Sequence, residues 1–201
     1  MERESATVSH LDGQTARRRW VFGYGSLMWR PGFPFAEQVH GRLDGLRRAF
    51  CIYSVHHRGT PERPGLVLGL APGPGVRGVA FSVRATDWAK VHAYLMEREQ
   101  PTETYVEAYA PIALDDGRTV KALVFLSDRS HPQWAGLMPL ERQAELIAHA
   151  RGRSGRNVDY LRDLVQHLQE IGEPDPTMET LLAMVEGRGG GPLATGGDEA
   201  A

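Results

Sequence analysis

The segment TYVEAYAPIALDDGRTVKALVFL, residues 104–126, constrains this chain more than any other. Two runs of strand-forming residues flank DDGR, and Asp-Gly between such runs marks a hairpin, because glycine accepts the positive φ that tight turns impose. One antiparallel pair is thereby specified. The chain before it supplies further short strand-like runs: Trp20 to Phe22, RRAFCIYSV, GLVLGLA and RGVAFSVR, the last two joined across PGPG.

Helical periodicity is confined to one stretch from Thr86 to about Arg98 and to the last third of the chain. There LERQAELIAHA is followed by VDYLRDLVQHLQEI, whose Val158, Leu161, Leu164, Val165, Leu168 and Ile171 recur at helical spacing. Asn157 is placed to cap that helix and Gly172 to stop it. A third helix, DPTMETLLAMVEG, is expected to close at Gly187. Strands first, one inserted helix and then helices predict an α+β fold with a curved or barrel-like antiparallel sheet at its centre.

A length of 201 residues suits one domain with a sizeable core. The polar, aperiodic residues 1–18 and the glycine-rich residues 188–201 read as disordered tails around a domain at 19–187. With a net charge of -2 there is no broad basic field, so no nucleic-acid partner is expected. No apolar run is long enough for a membrane span and no secretory leader is visible, so the expected setting is cytoplasmic, with no membrane and no obligate protein partner. The single cysteine, Cys51, lies in a strand-like run and reads as a small buried hydrophobe.

Two features carry chemistry. In DWAKVHAYLMERE, Trp88, Val91, His92, Leu95 and Glu99 share one helical face, and Glu97 points to the opposite side. A carboxylate on a core-facing stripe must be paired, hydrogen-bonded or raised in pKa, and a raised pKa suits a general base working near neutrality. From periodicity alone, Glu99 reads first as a residue at a frayed helix end that reaches water or a nearby arginine.

In VFGYGSL, Gly23 and Gly25 free the backbone and let a ligand approach it, so consecutive N–H groups can form a concave anion site to which Ser26 adds a donor. The glycines and lysine of dinucleotide and nucleoside-triphosphate loops are missing, so the anion is small, such as a carboxylate. A plain tight turn explains the same residues. His56 and His57 are adjacent and point apart in a strand, so no metal site is expected.

Taken together, WVFGYGSLMWRPGF, HRGTPERPG, YLMERE, DDGRTVKALVFLSD and GRSGRNVDYLRDLVQHLQEIG resemble the ChaC-like, glutathione-specific γ-glutamylcyclotransferases, in the family's order and over nearly the whole chain. The resemblance looks closest to bacterial members. It implies a small β-barrel with helices around it and cleavage of glutathione to 5-oxoproline and cysteinylglycine without cofactor or metal. It also implies that the loop Val21, Phe22, Gly23, Tyr24, Gly25, Ser26 and Leu27 holds the γ-glutamyl group, that Glu99 is the catalytic acid/base, and that the Tyr105 hydroxyl contacts substrate.

Under the same resemblance Arg58 either binds a carboxylate of the cysteinylglycine half or pins its own loop. QPTET, residues 100–104, departs from the glycine-containing versions common in the family. Two other functions remain open at this point: a cyclotransferase for other γ-glutamyl amines or amino acids, and a non-catalytic regulatory binding protein.

Overall fold

The computed structural model describes residues 18–99 and 104–189. The hairpin at residues 104–126 forms as expected: β6 (Tyr105–Leu114) pairs antiparallel with β7 (Thr119–Ser127), from Tyr105 opposite Ser127 to Ala113 opposite Thr119. Gly117 in the turn has φ 89°, the left-handed conformation that Asp-Gly anticipated.

Around this hairpin a five-stranded barrel closes in the order β1 (Arg18–Gly23), β5 (Val76–Arg84), β2 (Glu37–Leu43), β6, β7. All junctions are antiparallel except the closure itself, where Trp20 and Val21 of β1 run parallel to Ala122 and Leu123 of β7. Val21, Phe22, Ala80, Phe81, Val83, Ala122, Leu123 and Val124 have no exposed surface, and this buried run explains why β1, β5 and β7 read as continuous apolar segments. Helix α1 (Trp88–Glu99) buries Val91 and Leu95. Phe33 meets both Phe81 of β5 and Tyr94 of α1 edge to face, at centroid distances of 5.7 and 6.3 Å.

The chain divides into two compact units. One comprises the described residues of 18–49 and 68–134, with the barrel and α1. The other comprises residues 50–67 and those from 135 onward. The strands β3 (Leu46–Ser54) and β4 (Gly65–Pro72) form a separate two-stranded sheet. GLVLGLA and RGVAFSVR are joined across PGPG as read from the sequence, yet β4 pairs with β3 whereas β5 belongs to the barrel.

The second unit holds α2 (Leu140–His149), a two-residue ladder of β8 (Arg151–Gly152) and β9 (Gly155–Arg156), α3 (Asn157–Glu170) and α4 (Pro176–Gly189). Cys51 is 1% exposed, as its apolar surroundings suggested. Gly172, φ 74°, ends α3 where expected, whereas Gly187 does not stop α4, which runs to Gly189. Among the described residues no helix is long and apolar enough to cross a membrane. The α+β class and the barrel anticipated from the sequence both hold.

Asn157 does something other than cap. Residue 156 occupies the cap position of α3 without a side-chain bond, and Asn157 is fully buried inside the first turn. Its Oδ1 accepts the Leu66 N–H at 2.7 Å and its Nδ2 donates to the Leu66 carbonyl at 2.8 Å, so one side chain satisfies a β4 residue as a neighbouring strand would. Asn157→Ala leaves both Leu66 groups buried without partners, and we expect a loss of about 2–4 kcal/mol. Urea unfolding of the variant reads this; an unchanged midpoint would contradict it.

Candidate active site

The loop after β1 is built by its apolar side chains and offered to solvent by two residues only. Val21 and Phe22 are wholly inside, Tyr24, Leu27 and Met28 are buried, and Gly25 and Ser26 alone between Trp20 and Met28 are partly exposed. Ser26–Met28 is a single 3-10 turn, closed by the Met28 N–H donating to the Gly25 carbonyl at 2.9 Å. The N–H groups of Gly25, Ser26 and Leu27 have no partner among the described residues, as the start of any helical turn requires of its first donors. Three adjacent donors are thus left without a protein acceptor, two of them on the partly exposed Gly25 and Ser26, where an anion is favoured.

The glycines are needed here for a different reason from the one their permissiveness suggested. Gly25 has φ −136° and Gly23 is not among the residues with positive φ. A Cβ at Gly23 would lie 2.9 Å from Leu27 Cβ, and one at Gly25 would lie 3.1 Å from a Leu68 methyl. Close packing of the turn on itself leaves no room for a side chain at Gly23, and one at Gly25 would require Leu68 to shift by a few tenths of an ångström.

Two arginines hold the loop. Arg48, 5% exposed, donates from Nε to the Tyr24 carbonyl at 2.7 Å and from Nη2 to the Arg77 carbonyl at 2.6 Å. The Tyr24 hydroxyl in turn donates to the Phe125 carbonyl at 2.8 Å, tying the turn to β7.

Arg98, in the last turn of α1, reaches the other side of the loop. Its Nη2 donates to Ser26 Oγ at 3.0 Å, its Nη1 to the Tyr94 hydroxyl at 2.9 Å and to the Arg30 carbonyl, and its Nε lies 3.0 Å from Glu99 Oε1. One guanidinium therefore links the carboxylate to the glycine loop. Because Ser26 Oγ accepts from Arg98, its own proton is directed elsewhere.

Glu99 sits where the helical face placed it, with 21% of its side chain exposed, on a helix whose Glu97 faces solvent. Burial pushes its carboxyl above the ordinary range, and the charge and hydrogen bond of Arg98 oppose that rise. Both readings of Glu99 made from the sequence are thus present together: it is paired with an arginine and its pKa is still raised. His92, on the same face, is 33% exposed and bonds Glu107 at 2.7 Å.

A carboxylate that serves as a base must be deprotonated, so an activity that ran through Glu99 would rise with pH along a limb lying above the usual carboxylate range. Arg98→Met removes the opposing charge, and we expect that limb of kcat/KM to move to higher pH. A limb left in place would show that Arg98 does not set the protonation of Glu99.

Tyr105 opens β6, and its hydroxyl donates to the Leu68 carbonyl at 2.7 Å. Arg58 belongs to the second unit. Its Nη1 donates to the carbonyls of Ser154 at 2.7 Å and Arg156 at 3.3 Å, and its guanidinium stacks 5.2 Å from the Tyr160 ring centroid, contacts suited to pinning a loop. Residues 100–103, most of the departing QPTET segment, lie outside the described residues. Neither Arg48 nor Arg98 was marked by the sequence reading; the position of Arg98 beside Glu99 and four residues after Tyr94 was the one available signal.

Comparison with known proteins identifies the family. The family model of ChaC-like proteins matches residues 19–188, and the chain belongs to that family. It is 40% identical over 167 residues to the glutathione-specific γ-glutamylcyclotransferase of Escherichia coli strain K12, covering 83% of this chain and 72% of that protein. It is 35% identical to the human glutathione-specific γ-glutamylcyclotransferase 1, over 92% of this chain and 84% of the relative. Among solved structures, the yeast γ-glutamyl cyclotransferase specific to glutathione shares the fold, with a TM-score of 0.75, 24% identity, and coverage of 85% of this chain and 96% of that one.

Proposed function

We propose that this protein is a glutathione-specific γ-glutamylcyclotransferase, a lyase that converts glutathione to 5-oxoproline and cysteinylglycine. Family membership supports the reaction, and one structural observation carries its assignment to residues: the half-buried Glu99 is coupled through Arg98 to Ser26 of a loop with three unpartnered amides. The proposed setting is the cytoplasm, where thiols such as that of glutathione are kept reduced.

In this mechanism the turn at Gly25 to Leu27 receives an oxygen of the γ-glutamyl group, either its carboxylate or the developing oxyanion. The α-amine of that group is an ammonium near neutrality and cannot attack. Glu99 takes one proton from it, and the freed nitrogen forms a bond to the γ-carbonyl carbon of its own chain. A five-membered ring closes, and the bond from that carbon to the cysteinyl nitrogen breaks. The attacking nitrogen loses two protons in all and the leaving nitrogen gains two in becoming an ammonium; Glu99 returns the one it took and solvent balances the other. Since nucleophile and carbonyl belong to one molecule, holding the substrate folded supplies much of the rate.

In this proposal Val21, Phe22, Tyr24 and Leu27 shape the loop, and Tyr105 contacts substrate through its hydroxyl. Arg58 is assigned to pinning its own loop. Tyr105→Phe is expected to raise the Michaelis constant about 3- to 10-fold, the scale of one lost hydrogen bond; steady-state kinetics identical to wild type would remove Tyr105 from the site. The leaving group is tested by comparing glutathione with γ-glutamyl-alanine as substrates. Preference for glutathione is expected, and equal turnover of both would make the enzyme a general γ-glutamyl cyclotransferase.

A further inference from the structure

In the second unit, one short hairpin gathers positive charge without neutralising it. The loop after β3 contributes His56, His57 and Arg58, and the β8–β9 hairpin contributes Arg151, Arg153 and Arg156. Backbone bonds stitch the two together: the N–H groups of Arg153 and Ser154 donate to the carbonyls of His56 and His57, each at 2.9 Å. Among the described residues none of the four arginines is paired with a carboxylate.

Three details show how this charge is arranged. Arg151 stands directly opposite Arg156 in the antiparallel ladder, so two like charges share one face at close range. Arg156 is also the cap residue of the fourteen-residue α3, where the helix dipole is itself positive. The acid in the first turn of α3, Asp159, is paired with Arg162 at 3.0 Å.

The third detail concerns His57. Its Nε2 accepts from Arg153 Nη2 at 2.9 Å, so its Nδ1 carries the proton and donates to Ser154 Oγ at 3.0 Å. Burial, with the charges of Arg153, His56 and Arg58, holds its pKa below the ordinary histidine value. The ring is thus kept neutral among cations and orders Arg153 as a donor.

We propose that the face of the β8–β9 hairpin carrying Arg151 and Arg156, completed by Arg153, is a seat for a small multivalent oxyanion of the phosphate class. Such an anion cancels the repulsion across the ladder and at the start of α3 together, whereas a single carboxylate offers one charge to a cluster of at least three. Free pyrophosphate and the phosphate tail of a nucleotide share this chemistry.

The probe is inorganic pyrophosphate, titrated calorimetrically into the full chain at low ionic strength, with ATP as a second arm. Pyrophosphate is expected to bind and to raise the melting temperature, both effects weakening with salt. R151Q/R156Q, which alters two exposed side chains, is expected to bind pyrophosphate at least tenfold more weakly and to show no anion-induced rise in melting temperature. Its glutathione turnover without added anion is expected to be unchanged. Binding of ATP no tighter than pyrophosphate assigns the seat to the phosphates alone; tighter binding of ATP assigns it to a nucleotide.

Absence of pyrophosphate binding, or equal binding by the double variant, overturns the proposal. A Michaelis constant for glutathione raised several-fold in the variant also overturns it, since the arginines would then serve the substrate's own carboxylate. The calorimetric and melting readouts stand whether or not the chain turns over glutathione.

Discussion

Glu99→Gln is expected to reduce turnover of glutathione by about 10³-fold or more, toward the upper end of what a positioned acid–base group contributes. The glutamine keeps the shape of the side chain and an oxygen for Arg98 Nε, now 3.0 Å from Glu99 Oε1, but it cannot take a proton from the substrate ammonium. The fold is expected to remain, and the sign of the stability change follows from the raised carboxyl. A carboxyl whose pKa is higher in the folded chain than in the unfolded one holds more protons when folded. Stability therefore falls as pH rises between those two values, and the penalty persists above them. At pH 7 the variant is expected to melt at or above the wild-type temperature, with that advantage vanishing below the ordinary carboxylate range. A variant that is inactive and also melts well below wild type would have lost its structure, and the inactivity would then say nothing of catalysis.

The second large effect is expected at Arg48, which touches no proposed reacting atom. Arg48→Met removes the charged donor from two carbonyls, those of Tyr24 and Arg77, within a largely closed part of the barrel unit. The cost is expected at about 2–4 kcal/mol, read from urea midpoints. Because Tyr24 precedes the exposed pair Gly25 and Ser26, the loop loses an anchor, and kcat/KM is expected to fall at least tenfold. Arg48→Lys is expected to recover only part of both losses, since an ammonium cannot reproduce the planar fork that spans two carbonyls. A wild-type midpoint in Arg48→Met would remove Arg48 from the account of how the loop is held.

What could be read in the sequence was what depends on neighbours along the chain. Asp-Gly fixed the β6–β7 turn, and helical spacing placed Glu99 beside Val91 and Leu95 and opposite Glu97. Strand β2, EQVHGRL, escaped notice because it is polar and only two of its seven residues are buried; pairing with β5 and β6 makes it a strand. The parallel contact of β1 with β7 joins residues about one hundred positions apart and leaves no local mark. Asn157 carried a capping signature yet spends its amide on Leu66, 91 positions away.

The candidate site divided in the same way. The loop and Glu99 were visible as residue types in unusual places, a glycine pair after an apolar run and an acid on an apolar face. Arg48 and Arg98 were not, because an arginine in a strand or at a helix end has a solvated explanation until its partners are known. Those partners, Tyr24 and Ser26, are what turn two separate signals into one arrangement.

The central claim is that this arrangement closes a γ-glutamyl group onto its own amine. It is tested most directly by incubating the purified chain with reduced glutathione, with nothing else added, and quantifying products by mass spectrometry. The account predicts 5-oxoproline and cysteinylglycine in equal amounts. Free glutamate in place of 5-oxoproline would mean that water rather than the α-amine attacks the γ-carbonyl, and would contradict it.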